Sequence, residues 1–333
     1  MNKKMTFELR KDAKLANNIF NQPDAVYARD GYGKGLVELG EKNEKVVVLT
    51  GDLSESTRCH WFAEKFPKRF IQVGVAEQNM MGLAAGLALS GKTPFVSSYA
   101  TFSPGRAWDQ LRVSAGYSNT NVKVAGAHAG ISVGPDGATH QALEDIASVR
   151  CIPNFVVEVP CDWLECKKTT LAFAEHKGPC YFRFGREKTP VLTTSETPFE
   201  IGKAQIFKDG TDVAIIACGA MVYESLIAAK RLDEKGISAC VVNNHTIKPL
   251  DVKTITKVAK ECGAVVTAEE HQVQGGMGSA IAECLAENYP VPMKFVGMQD
   301  TFGESGEPRE LLDKYKMNSS EIERKALEVV KRK

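Results

Sequence analysis

The sequence has almost no net charge: 42 Lys and Arg against 41 Asp and Glu leave +1 over 333 residues. That balance excludes a nucleic-acid surface built on bulk charge, and no local basic cluster replaces it, since Lys331-Arg332-Lys333 is no longer than a solvated helix end. No apolar run approaches the roughly 20 residues of a membrane span. Met1-Asn2-Lys3-Lys4-Met5 leads into a polar stretch and not an apolar core, so no secretory signal is expected and a cytoplasmic location is. The nine cysteines contain no Cys-x-x-Cys pair, and Cys161 with Cys166, the closest two, have no second pair to complete a zinc site. Reduced structural thiols follow. There is also no phosphate-binding P-loop, no Gly-x-Ser-x-Gly elbow and no internal repeat.

What is present is alternation. Short apolar runs such as Lys45–Thr50 and Asn121–Ala127 suit buried parallel strands, and they alternate with helical stretches such as Arg29–Leu39, Glu77–Leu89, Gly105–Tyr117, Gln141–Val149 and Asp162–Ala174. This predicts an α/β protein of two doubly wound, mainly parallel-sheet domains. A polar arm (1–25) precedes the first domain (26–188). A Thr-, Pro-, Ser- and Glu-rich linker (189–200) separates it from a second unit (201–333).

Ligands in such sheets sit beyond the carboxyl ends of strands, which is where Asp52, Glu77, Tyr99 and His128 fall. Glu77 opens a helix rich in small residues, Gly82, Ala84, Ala85, Gly86 and Ala88, and is expected to be held rigidly at a closely packed surface. A carboxylate in a first helical turn also simply complements the macrodipole, so Glu77 alone proves nothing. The glycine-rich segment His128–His140 adds two histidines and Asp136 on backbone that a ligand can approach closely, better suited to substrate hydroxyls than to a metal. Tyr99 and Phe102 supply rings after a strand, and Arg29, Arg106, Arg112 and Arg186 are candidate anion binders. Gln274-Gly275-Gly276-Met277-Gly278-Ser279-Ala280 looks like a dinucleotide turn but lacks the strand immediately before it and the acidic partner after it, and is discounted.

Together these residues resemble the thiamine diphosphate-dependent transketolase family, in the half that carries the pyrimidine-binding and C-terminal domains. The resemblance rests on Gly74-Val75-Ala76-Glu77-Gln78-Asn79, His128-Ala129-Gly130, Gly134-Pro135-Asp136-Gly137-Ala138-Thr139-His140-Gln141, Ile152-Pro153-Asn154, Thr246-Ile247-Lys248-Pro249-Leu250-Asp251 and Glu269-Glu270-His271. It covers nearly the whole chain in order. The Gly-Asp-Gly and downstream Asn that hold diphosphate through a metal in this family have no counterpart here.

The resemblance therefore implies a split transketolase. A separate N-terminal subunit would bind the diphosphate and a divalent ion (Mg or Ca), the assembly would be an α2β2 heterotetramer with a homodimer contact, and sugar phosphates of the pentose phosphate pathway would be the substrates. It implies that Glu77, protonated, hydrogen-bonds N1′ of the aminopyrimidine, that Tyr99 and Phe102 pack on that ring, and that Asp52 lies near the thiazolium. It further implies that Asp136 and His140 hold substrate hydroxyls, His140 as a catalytic group, and that Arg29, Ser56, His128 and Arg186 grip the sugar phosphate. No metal ligand and no catalytic residue of the second domain is implied; subunit contact is its expected work. The alternatives are a deoxyxylulose phosphate synthase-like or 2-oxoacid dehydrogenase beta-like subunit, and a non-catalytic interaction subunit. The first is normally one long chain, the second lacks the Asp-Gly-x-Thr-His run, and the third gives Glu77 no purpose.

Overall fold

A computed structural model describes residues 7–333, so the sequence expectation placed on Met1–Met5 lies outside the described residues. Fourteen strands are described: β1 (Ala25–Tyr27), β2 (Val46–Thr50), β3 (Phe70–Gln72), β4 (Thr93–Tyr99), β5 (Lys123–Ala127), β6 (Val156–Glu158), β7 (Cys180–Phe184), β8 (Lys188–Pro190), β9 (Gln205–Lys208), β10 (Val213–Ala217), β11 (Ala239–Asn243), β12 (Thr246–Lys248), β13 (Val265–Gln272) and β14 (Met293–Met298). They form two mainly parallel sheets, ordered β12-β6-β7-β5-β4-β2-β3 and β14-β13-β10-β11-β9, plus an antiparallel β1-β8 ribbon. Residues Val46–Thr50, Lys123–Ala127 and Cys180–Phe184 are buried throughout, because helices cover both faces of the first sheet. The doubly wound α/β architecture is the one the alternation implies.

Three features were not legible as periodicity. Strand β12 follows β11 of the second sheet but pairs antiparallel with β6, so the second unit lends an edge strand to the first sheet. The helix expected from Gly105 starts only at Trp108 and passes into a π-helical stretch, Leu111–Tyr117. The helix expected from Gln141 begins at Asp145, because Gln141 is used to pin the preceding loop: its amide donates to the Ile131 carbonyl at 3.2 Å.

The stretch between the sheets is fastened rather than free. Asp162, which caps the helix Trp163–Glu175 by accepting from the Glu165 N–H, also accepts from the Leu192 and Thr193 N–H groups at 2.8 and 2.6 Å. The described part of the arm packs on the second domain, with Ile19 buried and the Arg10 N–H donating to the Phe207 carbonyl at 2.9 Å. Gly31 permits the helices Ala28–Lys42 and Trp163–Glu175 to touch, since a Cβ there would lie 1.8 Å from the Trp163 carbonyl oxygen. All nine cysteines are free thiols, and only Cys151 is exposed. No helix among the described residues is long and apolar enough to cross a membrane.

Candidate active site

The parallel strands of the first sheet point their carboxyl ends at one edge, and the candidate residues come from adjacent ends. In the order β3, β2, β4, β5, β7, those ends lead to Glu77, Asp52, Tyr99, His128 and Arg186. The edge contains the point where chain order reverses on either side of β2, the place where such sheets hold ligands.

Glu77 is the first residue of the helix Glu77–Leu89 and only 2% exposed. A left-handed turn at Gly74 (φ 74°) brings the chain round from β3 to this position. The surroundings differ from the sequence expectation in two ways. The carboxylate is not bounded by alanine and glycine alone: Arg106 Nη1 donates to its two oxygens at 3.1 and 3.2 Å, and the Ser98 hydroxyl lies at 3.4 Å. Nor is the small-residue face closely packed. Ala84 and Ala85 are buried, but a Cβ added at Gly82 or Gly86 would meet nothing within 4 Å, and Leu83 and Leu89 on the same side are exposed. Helical spacing of small residues signals close approach by a neighbour, and no neighbour among the described residues takes that place.

The rings lie together. Tyr99 stacks on His128 with centroids 4.0 Å apart and planes at 19°, and lies roughly parallel to Phe102 at 5.9 Å. His140 stands edge-on to Phe102 at 5.3 Å, its Nδ1 2.9 Å from the Thr139 hydroxyl. His128 adopts a left-handed backbone (φ 54°), is buried, and leaves Nδ1 without a partner. Burial foremost, and then the nearby cations Arg29, Arg186 and Arg58, push its pKa down to about 3, so it is a neutral imidazole.

The sign of its effect on stability follows. A base whose folded pKa is depressed contributes stability fully present above its unfolded pKa, and loses it as pH falls toward the folded value. His128→Asn should therefore gain on the wild type in unfolding free energy, read from urea titrations, as pH is lowered from 6.5 to 4, by up to about 1.4 kcal/mol per pH unit. A gap that does not change with pH would refute the assignment.

Arg29 is half-buried and carries no salt bridge among the described residues. Its Nη1 donates to the Ser56 carbonyl at 3.1 Å, its Nε has no partner, and its guanidinium lies 4.5 Å from the Tyr27 ring centroid. Arg58 and Lys188 approach the same ring at 5.7 and 5.3 Å. Burial and then the charge of Arg58 lower the Arg29 pKa, while Arg58 itself is paired with Asp30 at 2.8 Å. Ser56 enters this contact through its backbone. Arg186 donates to the Val133 carbonyl at 2.7 Å and to Asp136 at 3.3 Å, so two residues assigned separate tasks from the sequence are paired here. Asp52, exposed and left-handed (φ 64°), exchanges hydrogen bonds with the Gln72 amide at 2.9 and 3.4 Å.

Sequence reasoning missed Arg58, Ser98 and Glu270. The Glu270 carboxylate, on β13 of the second domain, accepts from the Ser132 N–H at 2.6 Å, and Gln141 donates to the Glu304 carbonyl at 2.9 Å. The second domain therefore holds the glycine-rich loop in shape, a task beyond the subunit contact expected of it. Gly130 (φ 89°) is required there, since a Cβ would fall 2.3 Å from the Glu270 carboxylate. Neighbouring Glu269 explains the discounted glycine turn. Its carboxylate accepts from the Met277 and Gly278 N–H groups at 2.7 and 2.8 Å, filling the helix N-terminus a phosphate would need, and burial pushes its pKa up to about 7.

This edge fits the pyrimidine half of a thiamine cofactor. A buried carboxylate stands at a helix start, a Cβ added at Gly51 would still be 3.7 Å from that carboxylate, half-buried rings adjoin it, and a buried imidazole nitrogen lacks a partner.

Comparison with known proteins agrees. The transketolase pyrimidine-binding domain matches residues 24–191 and the transketolase C-terminal domain residues 202–322. The chain accordingly belongs to the transketolase family, and that membership implies dependence on thiamine diphosphate. It is 47% identical over 307 residues to a "Putative transketolase C-terminal section" of Methanocaldococcus jannaschii, covering 91% of this chain and 96% of that protein. It is 42% identical to the "6-deoxy-6-sulfo-D-fructose transketolase subunit SqwH" of Clostridium sp., covering 94% of this chain and 99% of that one. Against transketolase-like protein 2 of Mus musculus, at 38% identity, 91% of this chain spans 49% of the relative. Among solved structures it is similar to a "Split gene transketolase, inactive beta4 tetramer", with a TM-score of 0.87, 45% identity and coverage of 92% of this chain and 99% of that one.

Proposed function

We propose that this chain is the pyrimidine-binding subunit of a split transketolase. With a partner subunit that holds the cofactor's diphosphate through Mg or Ca, it transfers a two-carbon ketol unit from a ketose phosphate to an aldose phosphate. The observation that carries this reading is the buried Glu77 carboxylate at the start of a helix whose Gly82 and Gly86 meet nothing within 4 Å among the described residues, on the sheet edge that also carries the Tyr99, Phe102 and His128 rings. Near-complete coverage of the C-terminal-section and subunit relatives supports a separate partner over a shared chain. An α2β2 assembly in the cytoplasm is the matching organisation.

Thiamine diphosphate, when bound, would supply the nucleophilic carbon chemistry that a two-carbon transfer needs. The chain's residues do the rest. Glu77 donates a hydrogen bond to the aminopyrimidine edge and thereby makes the ring's exocyclic nitrogen a better base. Tyr99 and Phe102 bound the ring, and Asp52 lies toward the thiazolium side. His140 and Asp136 hold the sugar hydroxyls. Arg29 and Arg186, with His128 and Ser56, take the phosphate, and the unpartnered His128 Nδ1 and unpaired Arg29 suit that task.

A sugar phosphonate or sulfonate offers the same anionic end, so the donor is identified by assay: transfer from xylulose 5-phosphate to ribose 5-phosphate by the reconstituted enzyme. Arg29→Ala should raise KM for phosphorylated donors by about 10- to 100-fold, the worth of a charge-assisted hydrogen bond, with a smaller change in kcat. An unchanged KM would remove Arg29 from the substrate site.

A further inference from the structure

The residue facing Glu77 raises a question that the proposed mechanism does not answer. A guanidinium donates hydrogen bonds and accepts none, and it remains protonated. Toward Glu77 it can only donate, whereas the proposed task of Glu77 requires an O–H that donates to a ring nitrogen. Arg106 and the aminopyrimidine edge compete for the same two oxygens.

They also compete for the same ring. The Arg106 guanidinium lies 4.0 Å from the Phe102 centroid while its Nη1 bonds Glu77. A planar group stacked on Phe102 and set against Glu77 is in outline what the aminopyrimidine would be, with the difference that the ring nitrogen would accept where the guanidinium donates. We infer that Arg106 is a resident placeholder in the pyrimidine subsite, which occupies the Glu77 oxygens and the Phe102 face in the free chain and must swing out when the cofactor enters.

The side chain is placed to do so. It is 49% exposed, and its guanidinium has no hydrogen-bond or salt-bridge partner besides Glu77 among the described residues. Its backbone is held separately, the Arg106 N–H donating to the Phe102 carbonyl at 2.9 Å, so the head can leave while the loop stays. Nothing on the other side of Glu77 replaces it: the remaining polar contact is the Ser98 hydroxyl at 3.4 Å. The pair thus fills an incomplete site with an internal ligand, and assembly with cofactor exchanges that ligand for the external one.

This inference rests on the assignment of Glu77 to the cofactor, and the test separates the two. Thiamine diphosphate is titrated into the reconstituted enzyme by calorimetry and by activity, using wild type, Arg106→Met, Arg106→Lys and Glu77→Ala. Methionine covers Phe102 without competing for the carboxylate. Arg106→Met should bind thiamine diphosphate about five-fold more tightly, the scale of a partly exposed ion pair, with Arg106→Lys in between. In the free chain the same Arg106→Met should lower the urea midpoint, because a buried carboxylate has lost its only cation. Equal or weaker thiamine diphosphate binding by Arg106→Met, with Glu77→Ala inactive, would overturn the placeholder and leave the role of Glu77 standing. Full activity of Glu77→Ala would overturn both.

Discussion

Glu77→Ala, assembled with a diphosphate-binding partner, is expected to transfer ketol units at least about 100-fold more slowly than wild type at saturating thiamine diphosphate, the lower end of what a positioned proton donor contributes. The loss should appear in kcat and remain when sugar phosphate is raised, because the carboxyl acts on the cofactor edge and not on the sugar. Glu77→Gln should fall between the two, since an amide N–H can still donate to a ring nitrogen but cannot pass a proton. A purely structural role for Glu77 would give a different pattern. The pair it makes with Arg106 involves a guanidinium that is 49% exposed, so its removal costs the free chain little, about 1 kcal/mol or less. Circular dichroism and urea midpoint of the free variant should therefore stay near wild type while the assembled rate collapses. A variant that loses its rate only because it unfolds would contradict the assignment.

The second large effect concerns the open side of the Glu77 helix. Gly82→Leu should be tolerated or slightly stabilising in the free chain, since a Cβ there meets nothing within 4 Å and leucine is a better helix former by roughly 0.7 kcal/mol. In the presence of the partner the same change should reduce activity at micromolar subunit concentrations by more than about 10-fold. A side chain inserted where two backbones must approach closely acts as an overpacked core does, at a cost of about 1–3 kcal/mol. The occupant proposed for this face is the diphosphate-binding subunit, because the helix that carries the face starts at Glu77 and whatever completes the site must come close to that helix end. Free-chain stability by urea titration and assembly by sedimentation separate the two effects. Normal assembly and rate in Gly82→Leu would place the partner elsewhere.

Much of this was legible from residue pattern. Lys45–Thr50 and Asn121–Ala127 read as buried strands from their apolar runs, and the structure starts them at Val46 and Lys123; Glu77–Leu89 read as a helix with the bounds the structure gives it. The strand ends then brought Asp52, Glu77, Tyr99 and His128 to one edge by topology alone. What pattern could not supply was side-chain partnership between distant segments. Arg106 was visible as an anion binder, but its anion, Glu77, lies 29 residues away. Asp136 and Arg186 were visible separately and are paired across 50 residues. Glu270 sits 138 residues from the loop it fastens, and a short edge strand such as β12 carries too few residues to show a period. The small residues of the Glu77 helix were read as a closely packed surface, and among the described residues nothing packs within 4 Å of a Cβ at Gly82 or Gly86.

The central claim is that this chain holds half of an active site that another chain completes. The direct measurement is ketol transfer between xylulose 5-phosphate and ribose 5-phosphate at fixed chain concentration, with saturating thiamine diphosphate and Mg, as the diphosphate-binding subunit is titrated in. The rate should be indistinguishable from background without the partner, rise with it and level off at one partner per chain; turnover by the chain alone would contradict the claim.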